Sequence, residues 1–197
     1  MDRPRRPQTD DAMLESREII VGVTGGIAAY KAAALTSLLV QQGAGVTAVL
    51  TRNARRFVGA ATFAALTGRP VASRSFDQAA HPLGAHIELA ARADLLVVAP
   101  ASADLLSKAA GGAADDLLTT LLLCVECPVL MAPAMNAAMW AKPAVQRNVR
   151  QLAADGVHVV EPGTGWLSCR REGVGRMADP ERIVAAIRTV LAAGRPH

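Results

Sequence analysis

Three side chains in this sequence could carry chemistry. Asn136 sits in Pro133-Ala-Met-Asn-Ala-Ala-Met-Trp140, directly after the apolar run Pro128-Val-Leu-Met-Ala132. Its amide can donate to a carboxylate and accept from a ring N–H, and Met135, Met139 and Trp140 offer a soft apolar wall beside it. The same residues also spell an ordinary helix start, with Asn136 as N-cap and Trp140 as a core anchor. Cys169 lies in Gly163-Thr-Gly-Trp-Leu-Ser-Cys-Arg-Arg-Glu-Gly-Val-Gly-Arg-Met177, one thiol among three arginines and several glycines. A mobile loop carrying such a thiol can close on a substrate and exclude water; a plain surface loop has the same composition. His86 follows Gly84-Ala85 and opens a helical apolar stretch. An imidazole suits proton transfer near neutral pH, although a lone histidine is also a common structural residue.

A fourth feature binds rather than reacts. Val23-Thr-Gly-Gly-Ile-Ala-Ala-Tyr-Lys31 joins an apolar run to a helix-forming stretch. Glycines let backbone approach a ligand, and a helix N-terminus points free N–H groups at an anion. The turn has neither the Gly-x-Gly-x-x-Gly spacing of dinucleotide sites nor the Gly-Lys-Ser/Thr of a P-loop. A mononucleotide such as FMN fits it better than a dinucleotide or ATP, and a tight turn without any ligand is the plain alternative. Cys124 and Cys127 form a single Cys-x-x-Cys, which reads as packing around a strand entry. The histidines and cysteines are not at metal-ligand spacing, so no metal is expected.

The elements that must position these residues follow from hydrophobic pattern. Short bounded apolar runs at 19–24, 46–50, 94–99, 128–132 and 156–160 read as buried parallel strands. Helix-forming stretches separate them: 27–42, a Thr51-capped helix towards Leu66, 86–91, one from Ser102 resuming at Asp115, one through Ala154, and a closing helix from Pro180. Residues 73–84 and 161–178 read as loops. The alternation predicts an α/β fold, a doubly wound Rossmann-like parallel sheet in a single domain spanning 18–197 behind a disordered tail at 1–17. The runs at 95–102 and 129–136 both exit through Ala-Pro-Ala, so Ser102 and Asn136 are expected on one sheet edge, the edge where ligands bind.

Composition narrows the setting. Of 197 residues, 51% are hydrophobic and 19% charged, which excludes a disordered chain. No apolar run reaches the roughly 18 residues of a membrane helix, and the polar start lacks a signal-peptide core; a soluble cytoplasmic protein is expected. A net charge of +4, scattered along the chain, does not argue for nucleic acid and suits a small anionic ligand.

Taken in order, Gly25-Gly-Ile-Ala-Ala-Tyr-Lys31, His86-Ile-Glu-Leu89, Pro133–Trp140 and the Cys169 loop ending Gly175-Arg-Met177 resemble the flavin-containing cysteine decarboxylases, over about residues 18–191. That resemblance implies a Rossmann-like FMN protein assembled as trimers, often grouped into dodecamers. Position by position it implies Gly25, Gly26 and Ile27 beneath the FMN phosphate, Thr51 and Phe57 at the second strand's exit, and Ser102, Ala103, Asp104 and Leu105 bordering the flavin. It implies His86 as a catalytic histidine at the oxidation, Asn136 holding the substrate carboxylate, and Cys169 donating a proton from a flap. Met139, Arg176 and Met177 are expected on the substrate side.

The implied reaction is FMN-dependent decarboxylation of 4′-phosphopantothenoylcysteine to 4′-phosphopantetheine in coenzyme A biosynthesis, through a thioaldehyde that loses CO₂ and is then re-reduced. Alternatives are a decarboxylase of a peptide C-terminal cysteine and a flavin-binding protein without turnover. Two departures stand out. The family's flap usually reads Ala-Cys-Gly-Asp where this chain has Ser168-Cys-Arg-Arg171. Its usual Ala-Asn-Asp-Leu appears as Ala114-Asp-Asp-Leu117.

Overall fold

The computed structural model describes residues 14–73 and 82–193. Five strands form one parallel sheet in the order β2-β1-β3-β4-β5: β1 (Glu18–Val23), β2 (Gly45–Leu50), β3 (Leu95–Ala101), β4 (Val129–Pro133) and β5 (His158–Val159). This is the flavodoxin-type doubly wound order, whose winding reverses between β1 and β3. Alternate residues of each strand feed two cores. Val21, Val23, Val97 and Leu130 pack beneath α1 (Ala29–Gln41) and, later in the chain, α8 (Pro180–Ala192) through Leu35, Leu39, Ile183 and Ile187. Ile20, Leu96, Val98 and Met131 pack on the other face against α3 (Ala85–Arg92), α4 (Ala103–Ala110), α5 (Leu117–Cys124) and α7 (Pro143–Ala154). Burial on both faces is why these strands read as unbroken apolar runs.

The β3–β4 register shifts between Val98 and Ala101, so Ala99 belongs to the first core and Ala101 to the second. That irregularity turns Pro100 O towards β1, where Thr24 donates its hydroxyl to it at 2.6 Å and accepts from Ser102 N at 3.0 Å. Buried Thr24 thereby ties the two strand exits of the switch point together. Pro133 is the last residue of β4, opposite Ala101, and the next amide, Ala134 N, carries the pairing on to Ala101 O.

Several expected elements differ. The single helix after Thr51 is a 3₁₀ turn at Ala54–Arg56 followed by α2 (Ala60–Thr67), because Gly59 takes an extended conformation as the α2 N-cap. The helix after Asn136 is α6 (Ala137–Trp140) and then α7, divided where extended Lys142 precedes Pro143. The loop at 161–178 holds an antiparallel hairpin, β6 (Gly163–Leu167) and β7 (Arg171–Arg176). Its glycines masked the alternation. Within the expected tail, Leu14 is fully buried in the first core and Ser16 N bonds to Gly43 O. Residues 1–13 of the tail, most of the 73–84 loop and the last four residues lie outside the described residues.

Candidate active site

The expected site residues collect at the carboxyl ends of β1, β2, β3 and β4. Two adjoining cavities of about 600 and 580 Å³ share Gly25, Ser102, Ala103 and Met139. Each is within the range of small-ligand sites. Gly26, Ile27, Asn136, Cys169, Arg176 and Met177 line the first. Thr51, Asp104 and Leu105 line the second, together with Asn53 and Lys108. The turn between β1 and α1 runs close to the exit of β2: a Cβ on Gly25 would stand 2.5 Å from Asn53 Cβ, so only glycine fits. Next to it, Gly26 faces open space and α1 begins without a side-chain cap. Uncapped first-turn N–H groups and the positive end of the helix dipole suit one phosphate there. Ser102 caps α4, accepting from Leu105 N at 3.3 Å. In the second cavity Lys108 is held between Asp104, at 3.3 Å, and Asp115, at 2.8 Å.

Asn136 caps a helix and faces the cavity at once. Its Oδ1 accepts from Ala138 N at 2.8 Å, capping α6. That fixes which end of the amide looks outward, and its Nδ2 donates to Cys169 Sγ at 3.2 Å. The cap therefore orients the outward-facing donor. Cys169 reaches this position because residues 168–170 turn at the hairpin tip, with Arg170 at φ +60°.

The foot of the hairpin is anchored twice. Met135 N donates to Gly175 O at 3.0 Å. Gly175 has φ +148°, and a Cβ there would collide with Met135 O. On the other side Lys31, only 8% exposed, donates to Asp179 at 2.7 Å and to Met177 O at 3.3 Å. Arg176 donates to the same carboxylate at 3.3 Å. Its hydrogen bond from Lys31, reinforced by the charges of Lys31 and Arg176, holds Asp179 below the usual carboxylate range. Sequence reading did not single out Lys31 or Asp179. The available signal was a lysine six residues after Gly25 in a helix face otherwise made of alanines, leucines and one threonine.

Gly175→Val is expected to break the Met135–Gly175 bond and swing Cys169 away from Asn136. Forcing a β-branched residue into this backbone region costs about 1–3 kcal/mol, a melting shift of roughly 2–12 °C. Gly163→Ala, on the same hairpin where a Cβ would make only an ordinary contact of 4.0 Å with Arg176 O, serves as the tolerated control in thermal melts.

Two expected site residues are not in these cavities. Phe57 is about half exposed. His86 stands at the start of α3, its Nδ1 buried and without a hydrogen-bond partner among the described residues.

The family model described as Flavoprotein matches residues 7–192. The chain is 48% identical over 172 residues to the coenzyme A biosynthesis bifunctional protein CoaBC of Bacillus subtilis (strain 168), covering 87% of this chain and 42% of that one. It is 49% identical over 175 residues to the CoaBC protein of Mycobacterium tuberculosis (strain ATCC 25618 / H37Rv), covering 89% and 41%. The chain thus spans about two-fifths of the length of the curated relatives it matches. Among solved structures it resembles the FMN-dependent cysteine decarboxylase SpaF, with TM-score 0.78 and 37% identity over 92% of this chain and 98% of that one. It also resembles a cysteine-to-serine mutant of a PPC decarboxylase complexed with pantothenoylaminoethenethiol, with TM-score 0.82 and 30% identity over 90% and 100%.

Proposed function

The chain belongs to the Flavoprotein family, and on that premise we propose that it is an FMN-dependent carboxy-lyase converting 4′-phosphopantothenoylcysteine to 4′-phosphopantetheine in coenzyme A biosynthesis. The observation that carries this reading is the Asn136–Cys169 contact of 3.2 Å in a cavity walled by the Gly25–Ile27 turn. It sets a carboxylate-binding amide and a proton-bearing thiol side by side. The similarity to CoaBC proteins and to a PPC decarboxylase supports the substrate.

The residues present fit FMN. Gly25, Gly26 and Ile27 offer backbone donors for a single phosphate, and Thr51, Asn53 and Ser102 supply polar atoms between the two cavities. When bound, the flavin supplies a reversible hydride acceptor for the substrate's thiol-bearing carbon, chemistry that no side chain can perform. Asn136 holds the cysteine carboxylate through Nδ2 while Oδ1 remains on Ala138 N. Met139 and Met177 keep water from the leaving CO₂. Cys169 then gives its proton to the decarboxylated product as a general acid. The likeness to SpaF, an FMN-dependent cysteine decarboxylase, supports a second reading in which the substrate is another cysteine, such as one at a peptide C-terminus.

His86 belongs to this chemistry only if it reaches a cavity other than its own chain's, which is why we propose a homotrimer or a multiple of it such as a dodecamer. The exposed Leu83 and Ile87 beside His86, and Ile27 and Tyr30 at the cavity mouth, supply apolar surface for that contact. The proposed location is the cytoplasm; among the described residues the cysteines are unbridged and no helix is long and apolar enough to cross a membrane.

Purified protein is expected to release FMN, not FAD, on denaturation. Mixing inactive His86→Asn chains with inactive Asn136→Asp chains is expected to restore activity, since mixed trimers contain intact pairs. Colourless protein that takes up no FMN contradicts the cofactor. A fully active 20.5 kDa monomer in light scattering contradicts the shared site.

A further inference from the structure

The flap tip carries charge that the chemistry above does not use. The hairpin from Gly163 to Arg176 holds three arginines against one glutamate. Arg176 is committed to Asp179. Arg170 and Arg171 are exposed, and neither makes an ion pair among the described residues. Both directly follow Cys169, whose thiol lines the cavity. Arg170 also occupies the left-handed region at φ +60°. Glycine sits there without strain, and the flap pattern this chain resembles has Gly-Asp at these two positions. Here a strain-free residue and a negative charge are replaced by two cations at the rim of the site. Turn formation does not require the change, and an outlier retained beside a reactive group points to function.

We propose that Arg170 and Arg171 form a cationic rim that draws a thiol acid carrying a phosphate monoester to the Cys169 side of the cavity, in preference to one with a neutral tail. This rests on the decarboxylase reading for the identity of the thiol acid, but not for the local field. Charges at an exposed rim act mainly on encounter rate and on salt dependence, and less on the chemical step. The rim therefore makes the flap a substrate reader and separates the phosphorylated substrate from a peptide C-terminus within one site.

The test uses the FMN-loaded protein and the double variant Arg170→Gly/Arg171→Asp, which restores a glycine to the left-handed position. Alkylation of Cys169 is followed by peptide mass with iodoacetate, an anion, and iodoacetamide, its neutral counterpart. Two unit charges about 8 Å from the thiol in a water-like dielectric give roughly a fivefold higher iodoacetate-to-iodoacetamide rate ratio in the parent at low salt. The ratio is expected to shrink as salt rises and to drop at least fivefold in the double variant. The second arm compares kcat/KM for 4′-phosphopantothenoylcysteine and for pantothenoylcysteine. The parent is expected to prefer the phosphorylated form severalfold, and the double variant to lose that preference with its flavin content unchanged. Turnover with either ratio unaltered by the double substitution overturns the inference. If neither compound is turned over, the decarboxylase reading fails, and the alkylation ratio alone decides whether the cationic rim exists.

Discussion

Asn136→Asp is expected to keep the fold and lose the reaction. Aspartate is as good an N-cap as asparagine, so its oxygen still accepts from Ala138 N and α6 stays in place. The other end of the side chain changes sign. Where Nδ2 donated to Cys169 Sγ, a carboxylate oxygen now faces the substrate carboxylate. Two like charges about 4 Å apart at an effective dielectric near 20 repel by about 4 kcal/mol, roughly a 10³-fold loss in kcat/KM. The loss is expected largely in KM, because the repulsion precedes chemistry. Melting temperature and FMN content remain near those of the parent. Lowering the pH towards the carboxylate range is expected to recover part of the binding by protonating one partner. Steady-state kinetics across pH with thermal melts checks this; loss of both stability and flavin would instead make Asn136 a structural residue only.

Cys169→Ser is expected to separate the two halves of the proposed reaction. Serine preserves size and can still accept from Asn136 Nδ2, but its hydroxyl is a far weaker acid than a thiol. The variant is expected to bind FMN, bleach the visible flavin absorbance when substrate is added anaerobically, and release CO₂ about once per site. It is then expected to stall with an oxidised, decarboxylated product, so that net turnover falls by about 10²–10⁴-fold, the usual contribution of a positioned acid. Stopped-flow absorbance and product masses report each stage. Turnover to the saturated product at the parent rate would reduce the hairpin to a lid and favour another thiol substrate.

Much of this arrangement was legible in the residues themselves. β1, β3 and β4 are buried on both faces, so their apolar runs had no competing period. The Ala-Pro-Ala exits of β3 and β4 placed Ser102 and Asn136 on one edge of the sheet. The β6–β7 hairpin was not legible, because four glycines and four charges between Gly163 and Arg176 conceal a strand pattern that reads only through Thr164, Trp166, Glu172 and Val174. Leu14 was missed because a single apolar residue in a polar tail has no period to reveal it. Lys31 and Asp179 were missed because an ion pair 148 residues apart leaves no local trace. Phe57 was chosen by resemblance alone and His86 by its imidazole together with that resemblance, and the geometry of one chain joins neither to the cavity.

The central claim is that one cavity runs a redox-neutral decarboxylation to completion. Its most direct test is the anaerobic stoichiometry of CO₂ to saturated product from 4′-phosphopantothenoylcysteine, measured by mass spectrometry with no added reductant. The account predicts one CO₂ for each 4′-phosphopantetheine over many turnovers, with the flavin oxidised when substrate is exhausted. No CO₂ from FMN-loaded protein, or CO₂ matched by an accumulating enethiol, would contradict it.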